Sequence, residues 1–301
     1  MELRDIEYFA VVAEHGNLRR AAESLGLSQP ALSKSLRRLE KSMAAKLVKR
    51  TPKGVDLTTV GAALRAQVQR IRLTLDDVTR EAADLSQGRA GHLRIGASPV
   101  EIEELPAAFA TLLKDAPNVK FTVTVSDNDL MVPALRNGEL DLIVNYVTES
   151  PYPGCVTERL YDDEVVVFVS ADHPLARRKS VTMAQIARER WVASPVHLVP
   201  WHWFHRAFQD KGVPLPQITV ESRSLRLRLQ TAASSNLVGI LSRRVVRQAA
   251  PQLRLKELKL KDVNCRRSVG VIYREEAYLS PAARRLIEIL KATAKEVAKE
   301  S

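Results

Sequence analysis

The chain has 301 residues, of which 45% are apolar and 27% charged, a balance typical of a folded protein of one or two domains. Lys and Arg (46) outnumber Asp and Glu (35), and the resulting formal charge of +11 favours a polyanionic partner. Two distant cysteines, Cys155 and Cys265, exclude a disulfide framework, and no apolar run approaches the ~20 residues of a membrane span. Because residues 1–16 also lack the pattern of a signal peptide, we expect a cytoplasmic protein with no membrane partner.

The first 43 residues predict three short helices. Apolar residues within 6–13 recur at the i, i+3, i+4, i+7 spacing of a helix with one buried face, and Gly16 ends it. Asn17 then caps a second helix, whose inner face is formed by Leu18, Ala21, Ala22 and Leu25. Ser28 caps a third helix, in which Pro30 is tolerated because first-turn amides have no intrahelical partner.

The predicted third helix has two contrasting faces. One is apolar and consists of Leu32, Leu36, Leu39 and Met43. At about 100° per residue, Lys34, Arg37 and Lys41 point away from that stripe. Residues 28–53 hold eight Lys or Arg and one acid, whereas residues 91–220 hold twelve basic and sixteen acidic side chains. The positive charge is therefore local, and it lies on a surface that the apolar core leaves free.

Residues 47–61, "LVKRTPKGVDLTTVG", predict a β-hairpin with Pro52, Lys53 and Gly54 at its tip. A helix-turn-helix followed by a basic hairpin is the winged form of a DNA-binding module. The pattern taken by itself also fits a solvated basic helix in a general helical subdomain.

A long helix is predicted from Thr58 to about Gln87. Its apolar residues are spaced 4, 3, 4, 3, 4, 3, as in the seam of a coiled coil: Leu64, Val68, Ile71, Leu75, Val78, Ala82 and Leu85. The alternatives are a dimerising coiled coil and a helix that lies along a larger domain. The segment 86–91, "SQGRAG", ends the helix and predicts a hinge.

From residue 92 the pattern changes to alternating strands and helices. The predicted strands are 92–98, 119–126, 140–147, 164–170, 190–194, 217–222, 237–241 and 266–273. The clearest helices between them are 101–116, 203–212 and 224–235. Alternation of this kind predicts a parallel or mixed α/β sheet.

Residues 9–61 resemble the N-terminal domain of LysR-type transcriptional regulators, above all in "AAESLGLSQPALSKSLRRLE" and "RTPKGVDLTTVG". One departure is Val48, where that family usually has Phe. The resemblance implies an α+β protein of three parts: a winged helix-turn-helix DNA-binding domain (1–58), a linker or dimerisation helix with its hinge (59–90), and an effector-binding domain (91–301). That last domain is expected to be like the type II periplasmic binding proteins, with subdomain I at about 91–161 and 266–301 and subdomain II at about 162–265.

The resemblance also implies partners and DNA-contacting residues. The expected partners are double-stranded DNA carrying an imperfect inverted repeat, a second copy of the chain in a homodimer or homotetramer, and RNA polymerase. The residues carried over to DNA binding are Asn17, Ser28, Gln29, Pro30, Ser33, Lys34, Arg37, Arg38, Arg50, Thr51 and Lys53. Exposed Lys and Arg attract phosphates, while side chains near a helix start can reach base edges in the major groove.

An effector site is predicted where strands of the α/β domain end, because ligands of such folds bind there. The residues are Ser98, Pro99, Val100, Ser126, Asn128, Asn145, Tyr146, Ser194, Pro195, Val196, Gly239 and Ile240. Helix N-termini at these ends favour a small organic anion as co-inducer. Tyr146, Trp201, Trp203 and Phe204 favour an apolar or aromatic body, but these aromatic residues fit ordinary core packing equally well. A single Ser at such a position is as well explained as a helix cap.

Other functions are disfavoured by the sequence. His197, His202 and His205 lie close together, but no Cys or carboxylate at ligand spacing completes a metal site. No nucleophile elbow, P-loop or dinucleotide motif occurs, so we expect no enzyme, no metal and no cofactor. A solute-binding protein would leave residues 1–60 unexplained. Redox sensing through Cys155 and Cys265 stays open as an alternative.

Overall fold

The structure is a computed structural model, which describes residues 2–52, 54–87, 91–148, 150, 152–195, 199–261 and 265–300. Side chains are not described within 84–87, 199–203 and 295–300. The chain divides into two compact units, Met1–Ala82 and Ala83–Ser301. Among the described residues, no helix combines the length and the apolar character that crossing a membrane would need.

The first unit contains the predicted three helices and hairpin. Its helices are α1 (Leu3–His15), α2 (Leu18–Ser24) and α3 (Gln29–Ser42), and its strands are β1 (Val48–Thr51) and β2 (Gly54–Leu57). The caps are those expected: Asn17 Oδ1 accepts from the amides of Arg19 and Arg20 at 2.9 and 3.2 Å, and Ser28 Oγ accepts from the Ala31 amide at 3.3 Å. Phe9, Leu32, Leu39 and Leu47 are almost fully buried at the centre of the helical core.

The hairpin is fastened to the turn between α1 and α2. Strands β1 and β2 pair antiparallel, and the Val55 amide donates to the Gly16 carbonyl at 2.8 Å. Gly54 has φ +142°, and a Cβ at this position would lie 2.3 Å from that same carbonyl oxygen. Only glycine therefore permits this approach, which fixes the hairpin on the helical core.

The long helix α4 (Thr59–Gln87) confirms the predicted extent. Leu64 packs on the core of the first unit and Val68 is buried. Ile71, Leu75 and Val78, the next members of the apolar seam, are 53%, 59% and 57% exposed. Isolated surface apolar residues are ordinary, but three in a row on one helical stripe leave an uncovered face.

The described residues of the second unit form nine strands in one mixed sheet. The strands are β3 (His92–Ala97), β4 (Lys120–Val125), β5 (Leu142–Val147), β6 (Cys155–Ser170), β7 (Arg190–Ala193), β8 (Gln217–Glu221), β9 (Val238–Ser242), β10 (Leu255–Leu258) and β11 (Cys265–Arg274). Their order is β4-β3-β5-β11-β6-β9-β7-β8, with β10 paired to β6. Strands β4, β3 and β5 are parallel to one another, as are β8, β7 and β9, and β11 runs antiparallel to β5 and β6. All eight predicted strands are confirmed.

Helices cover this sheet: α5 (Leu105–Asp115), α6 (Asn128–Arg136), α7 (Met183–Ala187), α8 (Val199–Asp210), α9 (Leu225–Ala233), α10 (Arg243–Leu253) and α11 (Pro281–Glu300), with 3₁₀ turns at Glu101–Glu104 and Pro174–Arg177. One apolar cluster includes Leu93, Ile95 and Leu286, and a separate one surrounds Trp191 and Phe208. The predicted subdomain boundaries fall inside β6 and β11, the two long strands that pair with each other, and they stay a prediction.

The sequence analysis misplaced the start of β6. The strand begins at Cys155, nine residues before the predicted 164, because residues 155–163 carry four charges and lack an apolar rhythm. Their partner strand β11 holds them: Arg267 stands opposite Asp163 in the ladder and Arg274 opposite Cys155. Strand β10 and the helices α6, α7, α10 and α11 were also not predicted.

Candidate DNA-binding surface and effector cleft

The outward face of α3 carries unpaired positive charge. Lys34, Arg37 and Lys41 are exposed, and none forms an ion pair or side-chain hydrogen bond with any residue that the structure describes. Gln29 and Pro30 are exposed at the start of the helix, and Ser33 beside them is half-buried. Such a face offers three cations and a helix N-terminus to a ligand without any bond having to be broken first.

Other residues assigned to DNA binding have structural partners. The side chains of Asn17 and Ser28 are occupied as helix caps. On the hairpin, Arg50 is exposed and Thr51 is half-buried, while Lys53 lies outside the described residues. Their contacts with DNA stay a prediction.

Arg38 is engaged within the protein. Its Nε donates to Asp5 Oδ2 at 2.8 Å, and Ser35 Oγ donates to Asp5 Oδ1 at 2.5 Å. Asp5 is 0% exposed, and the hydrogen bond from Arg38 lowers the pKa of its carboxyl to about 2. Arg38 therefore joins α1 to α3, which the sequence did not reveal because its partner lies 33 residues away in another helix.

A cleft lies at the strand ends of the second unit, with about 540 Å³ of empty space including its solvent-open mouth. Six of the predicted effector residues line it: Ser98, Pro99, Val100, Tyr146, Ser194 and Ile240. Asp127, in the predicted strand end 126–128, also lines the cleft, and the lining residues that sequence reasoning missed are Val165, Arg228, Leu241, Ser242 and Arg267. The cleft is thus where the strand-end argument placed it, but its two arginines were not predicted.

Five predicted residues do not line the cleft: Ser126, Asn128, Asn145, Pro195 and Gly239, while Val196 lies outside the described residues. Asn145 donates to Asn128 Oδ1 at 2.8 Å and accepts from the Tyr146 amide at 2.7 Å, so these two buried amides support the strand behind the cleft. A Cβ on Gly239 would lie 2.3 Å from the Phe168 ring, so this glycine serves packing in the core.

Charged residues at the cleft form a buried network centred on Arg267. Its Nη2 donates to Glu101 Oε1 at 2.9 Å and to Asp163 Oδ2 at 2.7 Å, and Ser242 Oγ donates to Asp163 Oδ1 at 3.0 Å. Glu101 is fully buried, and burial raises the pKa of its carboxyl to about 7, against the lowering effect of Arg267. This network satisfies most of the hydrogen-bonding groups that burial makes expensive to leave unpaired.

Ser98 acts as a cap in this region. Its Oγ accepts from the amides of Val100 and Glu101 at 3.1 and 3.2 Å and donates to the Glu101 carboxylate. Ser98 therefore makes the hydrogen bonds of a cap and also lines the cleft, and its contact with an effector stays a prediction. Ser194, by contrast, is buried and its hydroxyl has no hydrogen-bond partner among the described residues.

Arg228 is the exception among the buried charges. Only 7% of it is exposed, and no described residue forms a hydrogen bond or ion pair with its guanidinium, whose buried Nε has no partner. Burial lowers the pKa of Arg228 to about 10, so it is charged at neutral pH. A sequence signal existed: Arg228 shares the apolar face of α9 with Leu225, Leu229 and Ala232, where a cation is out of place.

Ion pairs beside the cleft join the segment before α9 to the start of α6. Arg223, just before α9, donates to Asp127 Oδ2 and to Asp129 Oδ2, both at 2.7 Å. Asp127 and Asp129 stand at the start of α6, 94 to 96 residues earlier in the chain. Asp127 also lines the cleft, and its charge is already paired with that of Arg223.

The geometry is against redox sensing by a pair of cysteines within one chain. In the antiparallel ladder of β6 and β11, Cys155 stands opposite Arg274 and Cys265 opposite Val165. The two cysteines are therefore at opposite ends of a ten-residue ladder, roughly 30 Å apart, whereas a disulfide needs Cα atoms within about 7 Å. Burial also raises the pKa of the Cys265 thiol, which lowers its reactivity.

The alternative of a metal site formed by His197, His202 and His205 lies largely outside the described residues. His197 lies outside the described residues, and so does the side chain of His202. Across the residues that are described, no group of three His, Cys, Asp or Glu side chains is arranged to hold a metal ion.

Comparison with known proteins agrees with both units. Residues 3–62 match the family model of bacterial regulatory helix-turn-helix proteins of the lysR family, and residues 86–295 match the LysR substrate binding domain. The chain is 28% identical over 295 residues to the HTH-type transcriptional regulator GbpR of Azospirillum brasilense, covering 97% of this chain and 86% of GbpR. It is 31% identical over 192 residues to OxyR of Escherichia coli, covering 63% of this chain and 62% of OxyR.

Solved structures show the same fold. The crystal structure of full-length CbnR with its target DNA matches with a TM-score of 0.63 at 20% identity, covering 97% of this chain and 100% of that one. A full-length variant of OxyR from Pseudomonas aeruginosa matches with a TM-score of 0.62 at 23% identity, covering 98% and 95%.

These matches define the class as a transcriptional regulator with an N-terminal helix-turn-helix and a C-terminal effector-binding domain, and not an enzyme. The chain belongs to the LysR family.

Proposed function

We propose that this protein binds an imperfect inverted-repeat operator as a cytoplasmic homodimer or tetramer, and that a small organic anion in the cleft modulates its control of RNA polymerase. The observation that carries the DNA-binding part is the unpaired basic face of α3. Lys34, Arg37 and Lys41 stand on it within a segment matched to the lysR helix-turn-helix.

Recognition of the DNA sequence is assigned to two parts of this face, the start of α3 and the turn that carries Arg37. Gln29 and Ser33, near the start of α3, can reach base edges in the major groove, where Gln pairs with adenine in a bidentate way. Arg37 lies one to two turns further on and can meet a guanine or a phosphate. Arg50 on the hairpin would contact the backbone beside it.

The DNA-binding proposal is tested by genomic footprinting, followed by titration of the recovered operator. Gln29→Ala and Arg37→Ala should each weaken binding to the operator by about 1–3 kcal/mol, while Arg50→Ala should weaken all sequences evenly. Arg19→Ala, which removes an exposed arginine paired with Glu23 on α2, is the matched control and should change little. Operator binding that is unaltered by both α3 substitutions would refute this groove assignment.

Dimerisation is proposed to cover the exposed stripe of α4. Ile71, Leu75 and Val78 repeat at the spacing of a coiled-coil seam and are more than half exposed in one chain. Two aspartates in that seam, Ile71→Asp with Leu75→Asp, would place charge in an apolar interface, which is strongly unfavourable. Sedimentation should show loss of the dimer, whereas Ala66→Asp with Ala83→Asp, on other faces of the helix, should leave it intact.

Effector binding is supported by the position of the cleft at the strand ends and by its donors. Ser194 has an unused hydroxyl there, and Arg228 an unused guanidinium. A ligand changes a population of states only through different affinities for them, so occupancy should alter operator affinity or the operator footprint. Identification of the regulated genes by footprinting indicates which anions to test first.

A further inference from the structure

Three charged residues among those described line the cleft, and all but one of them are hydrogen-bonded to an opposite charge. Arg267 faces Glu101 and Asp163 at 2.9 and 2.7 Å, and Asp127 is bonded to Arg223 at 2.7 Å. Arg228 lines the same cleft with 7% exposure and, within the described part of the chain, has no hydrogen-bond partner. A buried charge without a hydrogen-bonded partner is costly, so one that lines a cleft is a candidate for binding a ligand.

The hydroxyl groups of Ser194 and Tyr146 also line the cleft, and neither forms a hydrogen bond within the described part of the chain. A guanidinium presents parallel N–H groups that match the two oxygens of a carboxylate, and a hydroxyl can donate a further hydrogen bond. Resting on the proposed role of the cleft as the effector site, we propose that Arg228 anchors the carboxylate of a monocarboxylate effector with an apolar body.

The limit to one negative charge follows from the rest of the lining. Val100, Val165, Ile240 and Leu241 are apolar and offer a second charged group no partner. Asp127, also in the lining, would repel a second carboxylate. Arg267 already faces two carboxylates, Glu101 and Asp163, so a second anion placed beside it would meet their negative charge. The apolar walls therefore suit the hydrocarbon part of the ligand.

The first test needs no knowledge of the natural effector. Arg228→Met removes the buried charge but keeps an apolar stem of similar length. If Arg228 has no hydrogen-bonded partner until a ligand binds, the ligand-free variant should melt about 2–4 °C above the wild type, because a buried charge that Asp127 attracts but does not bond has been removed. Arg226→Met, at an exposed position on the same helix, is the matched control and should melt with the wild type.

The second test uses probes of graded charge. Benzoate and hexanoate should raise the melting temperature of the full-length protein more than benzamide, adipate or leucine at equal ionic strength. In Arg228→Met the affinity for the better monocarboxylate should fall at least about 30-fold, as expected when one partner of a buried charge pair is removed. Arg226→Met should retain it.

Several outcomes would overturn the proposal: a ligand-free Arg228→Met that melts at or below the wild type, stronger binding of adipate or benzamide than of either monocarboxylate, or no stabilisation by any monocarboxylate beyond that seen in the variant. Operator binding is measured on the same samples. If the variant binds the operator like the wild type, failure of the anion tests rejects the role of Arg228 and leaves the DNA-binding function standing.

Discussion

The outward face of α3 is exposed to solvent and the arginines of the effector cleft are buried, but both regions contain one arginine that is paired with an aspartate and one that has no partner among the described residues. Each region has an arginine bonded to a buried aspartate, Arg38 with Asp5 and Arg267 with Asp163. Each also has a basic side chain with no partner among the described residues, Arg37 on α3 and Arg228 in the cleft. The paired arginines hold elements of the fold together, and the unpaired ones are available to a ligand.

The settings differ in what leaving a charge unpaired costs. On α3 the free cations are solvated, so they cost little and can remain ready for a polyanion of varying sequence. In the cleft the free cation is desolvated, which makes its bond to a single small anion stronger and more selective. The same side chain therefore provides broad attraction at one site and discrimination at the other.

The largest expected effect comes from breaking the paired arginine of the cleft. Arg267→Met leaves Asp163 and Glu101 buried without their cation, and we expect a loss of about 3–5 kcal/mol in the free energy of unfolding of the second unit. All three tryptophans of the chain lie in this unit, so urea unfolding followed by their fluorescence reports on it. Arg266→Met, whose side chain is 67% exposed, is the control. Equal losses in the two variants would contradict the distinction between paired and solvated arginines.

The next effect is the pH dependence that Glu101 introduces. Its folded-state pKa of about 7, raised by burial, lies above the ordinary 4.5, so the folded state binds its proton more tightly than the unfolded state does. This contribution to stability is complete below about pH 4.5 and is lost as pH rises through 7, by up to about 3 kcal/mol. The charged groups acting on it are Arg267, Asp163, Glu104 and Arg244.

Glu101→Gln removes that titration. Measured by the same fluorescence at pH 5 and pH 8, the wild type should lose stability relative to the Gln variant as pH rises. A constant difference between the two proteins across this interval would show that Glu101 does not titrate there.

A smaller effect is expected from the paired arginine of the first unit. Asp5→Ala removes the carboxylate that bonds Arg38 and Ser35, and should cost about 2 kcal/mol. Because the first unit contains no tryptophan, its stability is measured by the hydrogen exchange of the backbone amides of residues 3–42. Glu2→Ala removes the other, mostly exposed partner of Arg38 and should change the exchange little.

The sign of its pH dependence is opposite to that of Glu101. The pKa of Asp5 is lowered to about 2, so its contribution is present above about pH 4 and is lost as pH falls towards 2. Protection that is insensitive to the Asp5 substitution would mean that Arg38 is free for DNA after all.

The sequence predicted what local patterns determine. Helices α1 to α4 and the hairpin follow from apolar spacing, caps and turn residues, and the eight strands follow from short apolar runs between breakers. The first part of β6 escaped because two of its charged residues are paired about a hundred residues or more later: Asp163 bonds Arg267 of β11 and Glu158 bonds Lys291 of α11. A strand held by cross-strand ion pairs leaves no local signal.

The sequence predicted the position of the cleft but not the arginines that line it. Strand ends identified Ser98, Tyr146 and Ser194, because the carboxyl ends of parallel strands share an edge. Arg228 and Arg267 were missed because their meaning depends on which acids stand beside them, and that is a property of the folded chain. Only the cation on the apolar face of α9 could have suggested Arg228.

The smallest effect on stability is expected for the substitution of Lys41, an exposed lysine of α3. Lys41 is exposed near the end of α3 and has no ion pair among the described residues, so Lys41→Ala should leave the unfolding free energy within about 0.5 kcal/mol of the wild type. If it meets a phosphate, the slope of log affinity against log salt concentration should fall by about 1, equally for operator and unrelated DNA. Ser42→Ala, at the adjacent exposed position, should keep the wild-type slope. An unchanged slope for Lys41→Ala would place this lysine outside the DNA contact and shorten the binding face of α3 to the turns that carry Gln29, Ser33 and Arg37.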